Sequence, residues 1–312
     1  MLKKEFDFYN NTNLKSYNLS ESMRYQLNIL DSLDVFTRKH SENVASLTCR
    51  ICEYLHLNRA FTEYCTICAY LHDIGKQFIP QSILQKPGKL TDEEYEIMKT
   101  HTTIGYKMCL DDSELRPYAA GPLYHHEALN GTGYPQGLVK KDIPYEGQII
   151  RVADEYDAIV SKRQYKSHVG ITDTLKILIE NTKVLKPGDK LYPLVKDHRY
   201  GRTNGDILKK LFKVVIDDIE YEISSTLDYV ETLKGELKRM DQIDKYKQKM
   251  EAAKSEKKKK YYLEGMKVLL IGSETVEEFP KIYEEYKEAY KNRKNIINNL
   301  YDEIAKVKKL RV

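Results

Sequence analysis

The chain has no apolar run approaching the roughly 18 residues that a bilayer-spanning helix needs, so no transmembrane segment is expected. Its start, MLKKEFDFYNN, is basic but has neither an apolar segment nor a small-residue cleavage site, and no secretory leader is expected. A cytoplasmic location is the default expectation. A large net charge is missing too: 51 Lys and Arg against 47 Asp and Glu leave +4 over 312 residues. That is too little to argue for a nucleic-acid polymer or an anionic membrane as partner. Strict alternation of apolar and polar residues is scarce, which disfavours sheet and favours an all-α fold. Cysteine is sparse and odd in number, at five, which argues against a complete disulfide framework.

The cysteine spacing needs its own argument. Cys49 and Cys52 form one CxxC and Cys65 and Cys68 another, with 12 residues between the pairs, the form of a zinc knuckle. The neighbours point elsewhere. Leu47, Ile51, Leu55, Ile67 and Leu71 surround the pairs in two amphipathic helical stretches turning near Asn58, and no Gly or Pro turn flanks either pair. These thiols are expected as small core residues.

What is present suffices for a packed core: 41% of residues are apolar and 31% charged. Residues 1–19 read as a polar arm. Residues 20–219 read as helices separated by Gly- and Pro-marked loops. One helix has a clear start, with Thr91 as cap and Glu94 completing a capping box; its expected apolar face runs Ile97, Ile104, Met108. Residues 182–205 read as a long loop. Residues 220–312 change character. Ile216, Ile219, Ile223, Thr226, Val230, Leu233, Leu237 and Met240 follow a 3-4 spacing, as do Tyr283, Tyr286, Tyr290, Arg293, Ile297, Leu300, Ile304 and Val307. Two coiled-coil helices are expected, forming a hairpin. The lysine-rich stretch between them is expected to hold the turn.

Eight histidines are few, and five occupy patterned places. His40 lies on the apolar line Leu33, Phe36, His40, Val44, Leu47, and His101 on the line Ile97, His101, Ile104, Met108. Asp154 falls one turn after Ile150 and one before Ala158. Each is expected to point inward, where an unpartnered carboxylate or imidazole is costly. Alone, each would more often be a satisfied core polar group than a ligand. Together with His72-Asp73 and His125-His126 they supply the mixed nitrogen and oxygen donors that suit Mn, Fe or Zn. A carboxylate such as Asp73 can bridge two metals, the arrangement used for phosphate-ester displacement.

The strings LHDIGK (71–76), KLTDEEYEIMKTH (89–101), HHEALNGTGYPQGL (125–138) and VADEYDAIVSKRQYK (152–166) occur in this order. Together they resemble the HD-GYP family of the HD phosphohydrolase superfamily over about residues 30–220. The resemblance implies an all-α HD-type helical bundle and a metal-dependent phosphodiesterase. Such an enzyme hydrolyses a cyclic dinucleotide, foremost cyclic di-GMP, to pGpG or GMP by a metal-activated hydroxide. Carried over by motif position, His40, His72, Asp73 and Asp154 would hold one divalent metal, iron or manganese. Asp73 would bridge to a second held by His101, His125 and His126. Lys76 would stand near the scissile phosphate as a catalytic cation. Tyr134 would shape the wall of the substrate site, and Asp157, Arg163 and Lys166 would stand in the second metal's surroundings or against the substrate.

Three positions depart from the family pattern, and the first bears on the metals. Members of the family with three metals carry a Glu one turn before the first His; here Phe36 stands there, so two metals are expected. Gln148 and Gln164 replace an Arg and a Pro away from the ligand set. The rival readings are an HD hydrolase of another nucleotide, which the GYP loop argues against, and a catalytically weak sensor or adaptor signalling through its coiled coil. A homodimer through the coiled coil or the catalytic domain is expected.

Overall fold

The computed structural model describes residues 33, 35–161, 170–272 and 274–312. The described residues contain eleven α-helices and short 3-10 turns, with one isolated antiparallel bridge between Asn130 and Val139. The all-α expectation therefore holds. No helix among the described residues is long and apolar enough to cross a membrane.

The chain divides into two compact units, one running to Val215 and rejoined by Lys309–Val312, the other Ile216–Lys308. In the first unit, α1 (Val35–Tyr54) packs on α2 (Arg59–Leu71) and on α7 (Tyr145–Ser161). The turn between α1 and α2 ends at Asn58, whose side chain accepts from the Phe61 amide and caps α2. Short α3 (Gln81–Leu84) precedes α4 (Asp92–Lys99) and α5 (His101–Asp111). Next, α6 (Ala120–Tyr124) lies against α2, α5 and α7, and α8 (Ile171–Thr182) packs on α7. Val44, Cys49, Ile51, Cys65, Leu71, Ile149, Ile150, Leu175, Leu178 and Leu208 are fully buried and make the core. All five cysteines are free and buried in it.

Three local expectations need correction. The capping box of Thr91 and Glu94 is present, but the helix it starts ends at Lys99, and His101 opens a second one. Ile97 is exposed, and the buried face of α5 is His101, Thr102, Gly105 and Cys109. The small Gly105 lets this face approach the 3-10 turn Ile74–Phe78 closely. Phe36 is likewise exposed, so the inward line of α1 holds at Leu33 and from His40 onward.

The second unit contains the remainder of α9 (Gly205–Glu251), α10 (Glu256–Leu269) and α11 (Phe279–Val307). The two heptad seams face each other in antiparallel register. Tyr283 donates to Asp241, Arg293 lies over the Tyr229 ring at 5.2 Å, and Lys308 reaches Glu220 at 3.4 Å. Ile219, Ile223, Thr226, Leu233 and Met240 are buried on one side, Ile297, Ile304 and Val307 on the other. The stretch expected as a turn forms α10, capped by Ser255. Its Met266 joins Met240, Ile243 and Phe279 in a small core. Arg293, expected within the seam, is exposed and spends its charge on a ring face, the less costly place for a guanidinium.

Candidate metal centre

Four elements converge on one carboxylate. The junction between α2 and the 3-10 turn presents His72 and Asp73, α1 presents His40, α5 opens on His101, and the chain leaving α6 presents His125 and His126. Asp154 projects from the middle of α7. Close approach of the His72-Asp73 turn to α5 depends on Gly75, where an added Cβ would lie 2.0 Å from the His101 carbonyl oxygen.

The two oxygens of Asp73 face different histidines. Oδ2 lies 3.3 Å from His72 Nε2 and 3.6 Å from His40 Nε2. Oδ1 lies 3.4 Å from His101 Nε2 and 3.9 Å from His125 Nε2. Asp154 lies 3.0 Å from His40 Nε2 through Oδ1 and 3.8 Å from His126 Nδ1 through Oδ2. Two groups result, His40 with His72 and Asp73, and His101 with His125 and His126; within each, the ligand atoms lie within 4.8 Å of one another.

The tautomers follow from the backbone. His72 Nδ1 donates to Ala69 O at 2.6 Å, His101 Nδ1 to Met98 O at 2.7 Å, and His125 Nδ1 to Gly121 O and Pro122 O at 3.0 Å each. A carbonyl only accepts, so each Nδ1 carries the proton and each Nε2 presents a lone pair to the cluster. Burial holds His101 down at about 4, and holds His125 and His126 well below the ordinary range. These imidazoles are therefore neutral at pH 7. His101 Nε2 and His125 Nε2 nevertheless lie 3.2 Å apart, two acceptors facing each other beside Asp73 Oδ1. Asp73 Oδ1 and His72 Nε2 are buried with no hydrogen-bond partner. Converging buried acceptors without a donor call for a cation, so the residues present fit a divalent metal pair.

His40 behaves differently. Burial opposes its charge, yet hydrogen bonds to Asp154 and Asp157 carry it up to about 10. Asp157 Oδ2 lies 2.6 Å from His40 Nδ1, and Asp157 Oδ1 accepts from Asn43 at 3.0 Å. Asp157 thus stands behind His40, with both oxygens engaged. Lys76 lies 2.5 Å from Asp73 Oδ2, and burial notwithstanding, its charge holds Asp73 well below the carboxylate range. Arg163 and Lys166 lie outside the described residues.

The cluster is sealed on one side and open on another. Side chains of His72, Asp73, His101 and His125 are at most 1% exposed, whereas His126 is 25%, Lys76 21% and His40 15% exposed. Tyr134 stacks on His126 at 4.6 Å between ring centroids and so stands at the open side. Its loop is held by Glu127, which accepts from the Gln136 and Leu138 amides at 2.7 and 2.8 Å. Gly133 passes so close to the chain that an added Cβ would lie 2.2 Å from the Ala128 nitrogen. Arg151 donates to the His126 and Glu127 carbonyls and to Glu155. Sequence reasoning assigned no role to Asn43, Glu127 or Arg151. Glu127 could have been found, because it sits inside the HHE string; Asn43 and Arg151 carry no local signal.

A model of the HD domain family, described as "HD domain", matches residues 24–187. The chain is 46% identical over 144 residues to a protein of Thermotoga maritima named cyclic di-GMP phosphodiesterase, covering 45% of this chain and 39% of that protein. It is 43% identical over 128 residues to the cyclic di-GMP phosphodiesterase response regulator RpfG of Xanthomonas campestris pv. campestris, covering 40% and 34%. It is 33% identical over 154 residues to the 3'3'-cGAMP-specific phosphodiesterase 1 of Vibrio cholerae, covering 48% and 35%. The aligned part is thus about two-fifths of each relative's length or less.

Proposed function

The chain belongs to the HD domain family, in its HD-GYP branch, and from that premise we propose that it is a metal-dependent phosphodiesterase hydrolysing a cyclic dinucleotide, with cyclic di-GMP as substrate and pGpG or GMP as product. The observation that carries this reading is the Asp73 carboxylate, which turns one oxygen to His40 and His72 and the other to His101 and His125. That is the donor set of a bridged pair of metals. His40, His72, Asp73 and Asp154 would hold one, and Asp73, His101, His125 and His126 the other. Phe36, exposed one turn before His40, offers no ligand for a third. These mixed donors suit Mn, Fe or Zn, and the HD-GYP resemblance favours iron or manganese. When bound, two such cations supply an activated water and neutralise the phosphoryl oxygens.

The protein's own groups do the rest. The backbone carbonyls behind His72, His101 and His125 fix the imidazoles before substrate arrives, so little reorganisation is left for the reaction. Lys76 sits at the open side beside Asp73, placed to face a phosphate that enters there. Tyr134 walls the entry. Residues 20–219 would form the phosphohydrolase domain. Residues 220–312 would form a helical module that supports a homodimer, with Tyr221 and Tyr301 among its exposed apolar side chains.

The test is hydrolysis of cyclic di-GMP by protein loaded anaerobically with Mn or Fe, beside Asp73→Ala prepared the same way. Turnover in the wild type and none in the variant is expected. Wild-type rates in a metal-replete Asp73→Ala protein, or no turnover of any cyclic dinucleotide by the wild type, would refute the reading.

A further inference from the structure

His126 is the most exposed and the least restrained of the residues that would ligate metal. Its side chain is 25% exposed, against 15% for His40. The rings of His72, His101 and His125 are each tied through Nδ1 to a carbonyl of the preceding turn. The His126 ring makes no hydrogen bond among the described residues; Asp154 Oδ2 stands 3.8 Å from its Nδ1. Tyr134 stacks on one face of the ring, and the backbone supplies the other restraint. The His126 carbonyl accepts from the Tyr134 amide at 3.2 Å and from the Arg151 guanidinium at 2.9 Å. The same guanidinium nitrogen donates to the Glu127 carbonyl at 3.0 Å.

Arg151 is only 4% exposed, and a guanidinium at that depth is costly unless it is paired. Glu155, one turn further along α7, pairs it at 2.6 Å. The fork is therefore divided, one terminal nitrogen on two carbonyls and the other on the carboxylate. The second Glu155 oxygen accepts from Thr203 at 2.9 Å and from Asn181 at 3.3 Å, residues at the two ends of the loop 182–205. The Thr203 amide donates to Asn181 O at 3.1 Å and closes that loop. Asp154 follows Arg151 by three residues on α7, a spacing that puts both on one side of the helix. One helical turn thus carries a metal ligand and the clamp on the backbone of another.

We propose that Arg151 is a positioning residue for His126 and sets the affinity of the metal that His101, His125 and His126 would share; this rests on the metal-pair reading above. A ligand whose ring has no hydrogen bond of its own depends on its backbone for aim. Partners standing behind a ligand typically govern metal affinity by about 10- to 100-fold; here the partner acts on the carbonyl instead of on a ring nitrogen. Glu127 fixes the far end of the Gly-Tyr-Pro loop through the Gln136 and Leu138 amides, which leaves the His126 end to Arg151. Lysine at this position would keep the charge that Glu155 needs, but a single ammonium does not reproduce the divided fork.

The experiment titrates the full chain with Mn alone under anaerobic conditions and follows the binding steps by calorimetry. Wild type, Arg151→Lys, His126→Ala and the double variant are compared. Arg151→Lys is expected to weaken one step on the order of tenfold and to leave the other unchanged. In the His126→Ala background the same substitution is expected to cost nothing further, because the residue it acts through is gone. A merely structural role gives another pattern: both steps weaken, and the loss persists without His126. That pattern, or no loss at all, overturns the assignment. Should Arg151→Lys fail to fold, Glu155→Gln loosens the same guanidinium; it is expected to weaken the same step only while His126 is present, and a loss in both steps overturns the assignment equally. Hydrolysis of cyclic di-GMP is measured on the same samples. Coupling of Arg151 to His126 in metal binding, with no turnover of any cyclic dinucleotide, refutes the phosphodiesterase reading alone. Turnover by the wild type without that coupling refutes the Arg151 assignment alone.

Discussion

His40 Nδ1 and Asp157 Oδ2 lie 2.6 Å apart across the α1–α7 contact, a carboxylate placed behind an imidazole whose other nitrogen faces the cluster. Asp157 aligns the ring and raises its basicity. A ligating histidine backed in this way typically loses about 10- to 100-fold in metal affinity when the carboxylate is removed. Asp157→Asn should therefore lower occupancy of one metal of the pair at limiting free metal, with substrate KM unchanged once metal saturates. The sign of the pH effect also follows. His40 is raised to about 10 without metal, so at pH 7 a proton must leave before a metal binds, and affinity should rise with pH. In the variant that proton is held less tightly, so the loss should be smaller at pH 6 than at pH 9. Metal titration at both pH values checks this; a KM rise at saturating metal would restore Asp157 to the substrate.

Metal number is a separate matter. The donors converge in two groups, and Phe36 leaves the position one turn before His40 without a carboxylate. Two metals per chain are expected from elemental analysis after anaerobic loading. Phe36→Glu is expected to leave the count at two unless other ligands are supplied, because one exposed carboxylate makes a poor site. Three tightly held metals in the wild type would contradict both statements.

The inward residues were legible where apolar spacing and a motif coincide, as for His40, His72, Asp73, His101, His125, His126 and Asp154. Their convergence was not, because it depends on close approaches such as Gly75 against the His101 carbonyl, which no periodicity encodes. For Asp157, motif position says that a carboxylate is near the site but not which side of His40 it occupies. In the second unit both seams were readable. The helix α10 was not, because Lys257–Lys260 hide an inner face of Met266 and Leu269 until Met240 and Phe279 are seen packed against it.

Gly75 gives a stability test with a built-in contrast. A Cβ there would lie 2.0 Å from His101 O and 2.6 Å from the Gly105 nitrogen, both backbone atoms that cannot swing aside. Gly75→Ala should cost about 3 kcal/mol or more, the upper range for overpacking, and should push His101 out of line. Gly235, in the interior of α9, has nothing within 4 Å of the same added atom. Gly235→Ala should stabilise the helix by about 0.5–1 kcal/mol, since alanine loses less backbone freedom there. Thermal melts of both, with metal content for the first, decide the matter; a Gly75→Ala protein as stable as wild type would mean that the turn is not wedged against α5.

The second unit carries one ion pair strong enough to test by pH. Arg239 donates to Glu274 twice, at 2.8 Å each, and to the Leu269 carbonyl at 2.8 Å, holding the link after α10 against α9. Glu274 in turn accepts from the Ile271 amide at 2.9 Å. Arg239 and Glu274 are 17% and 14% exposed, so screening by solvent is partial. The hydrogen bond from Arg239 holds the Glu274 carboxyl below its ordinary value, although burial pulls the other way. A depressed carboxylate contributes stability that is fully present above the unfolded value of about 4.3 and is lost as pH falls through the lower folded value. The link should therefore loosen only in acid. Glu274→Gln should remove the contribution, about 1 kcal/mol for a bidentate, partly buried pair, at every pH above that window. Amide exchange at Ile271, compared between wild type and variant at matched pH, reads it directly. The variant should exchange faster at pH 7, and the two should converge as the pH drops below about 4. Equal exchange at pH 7 would show that the apolar contacts of Met266 and Phe279 hold the link without the ion pair.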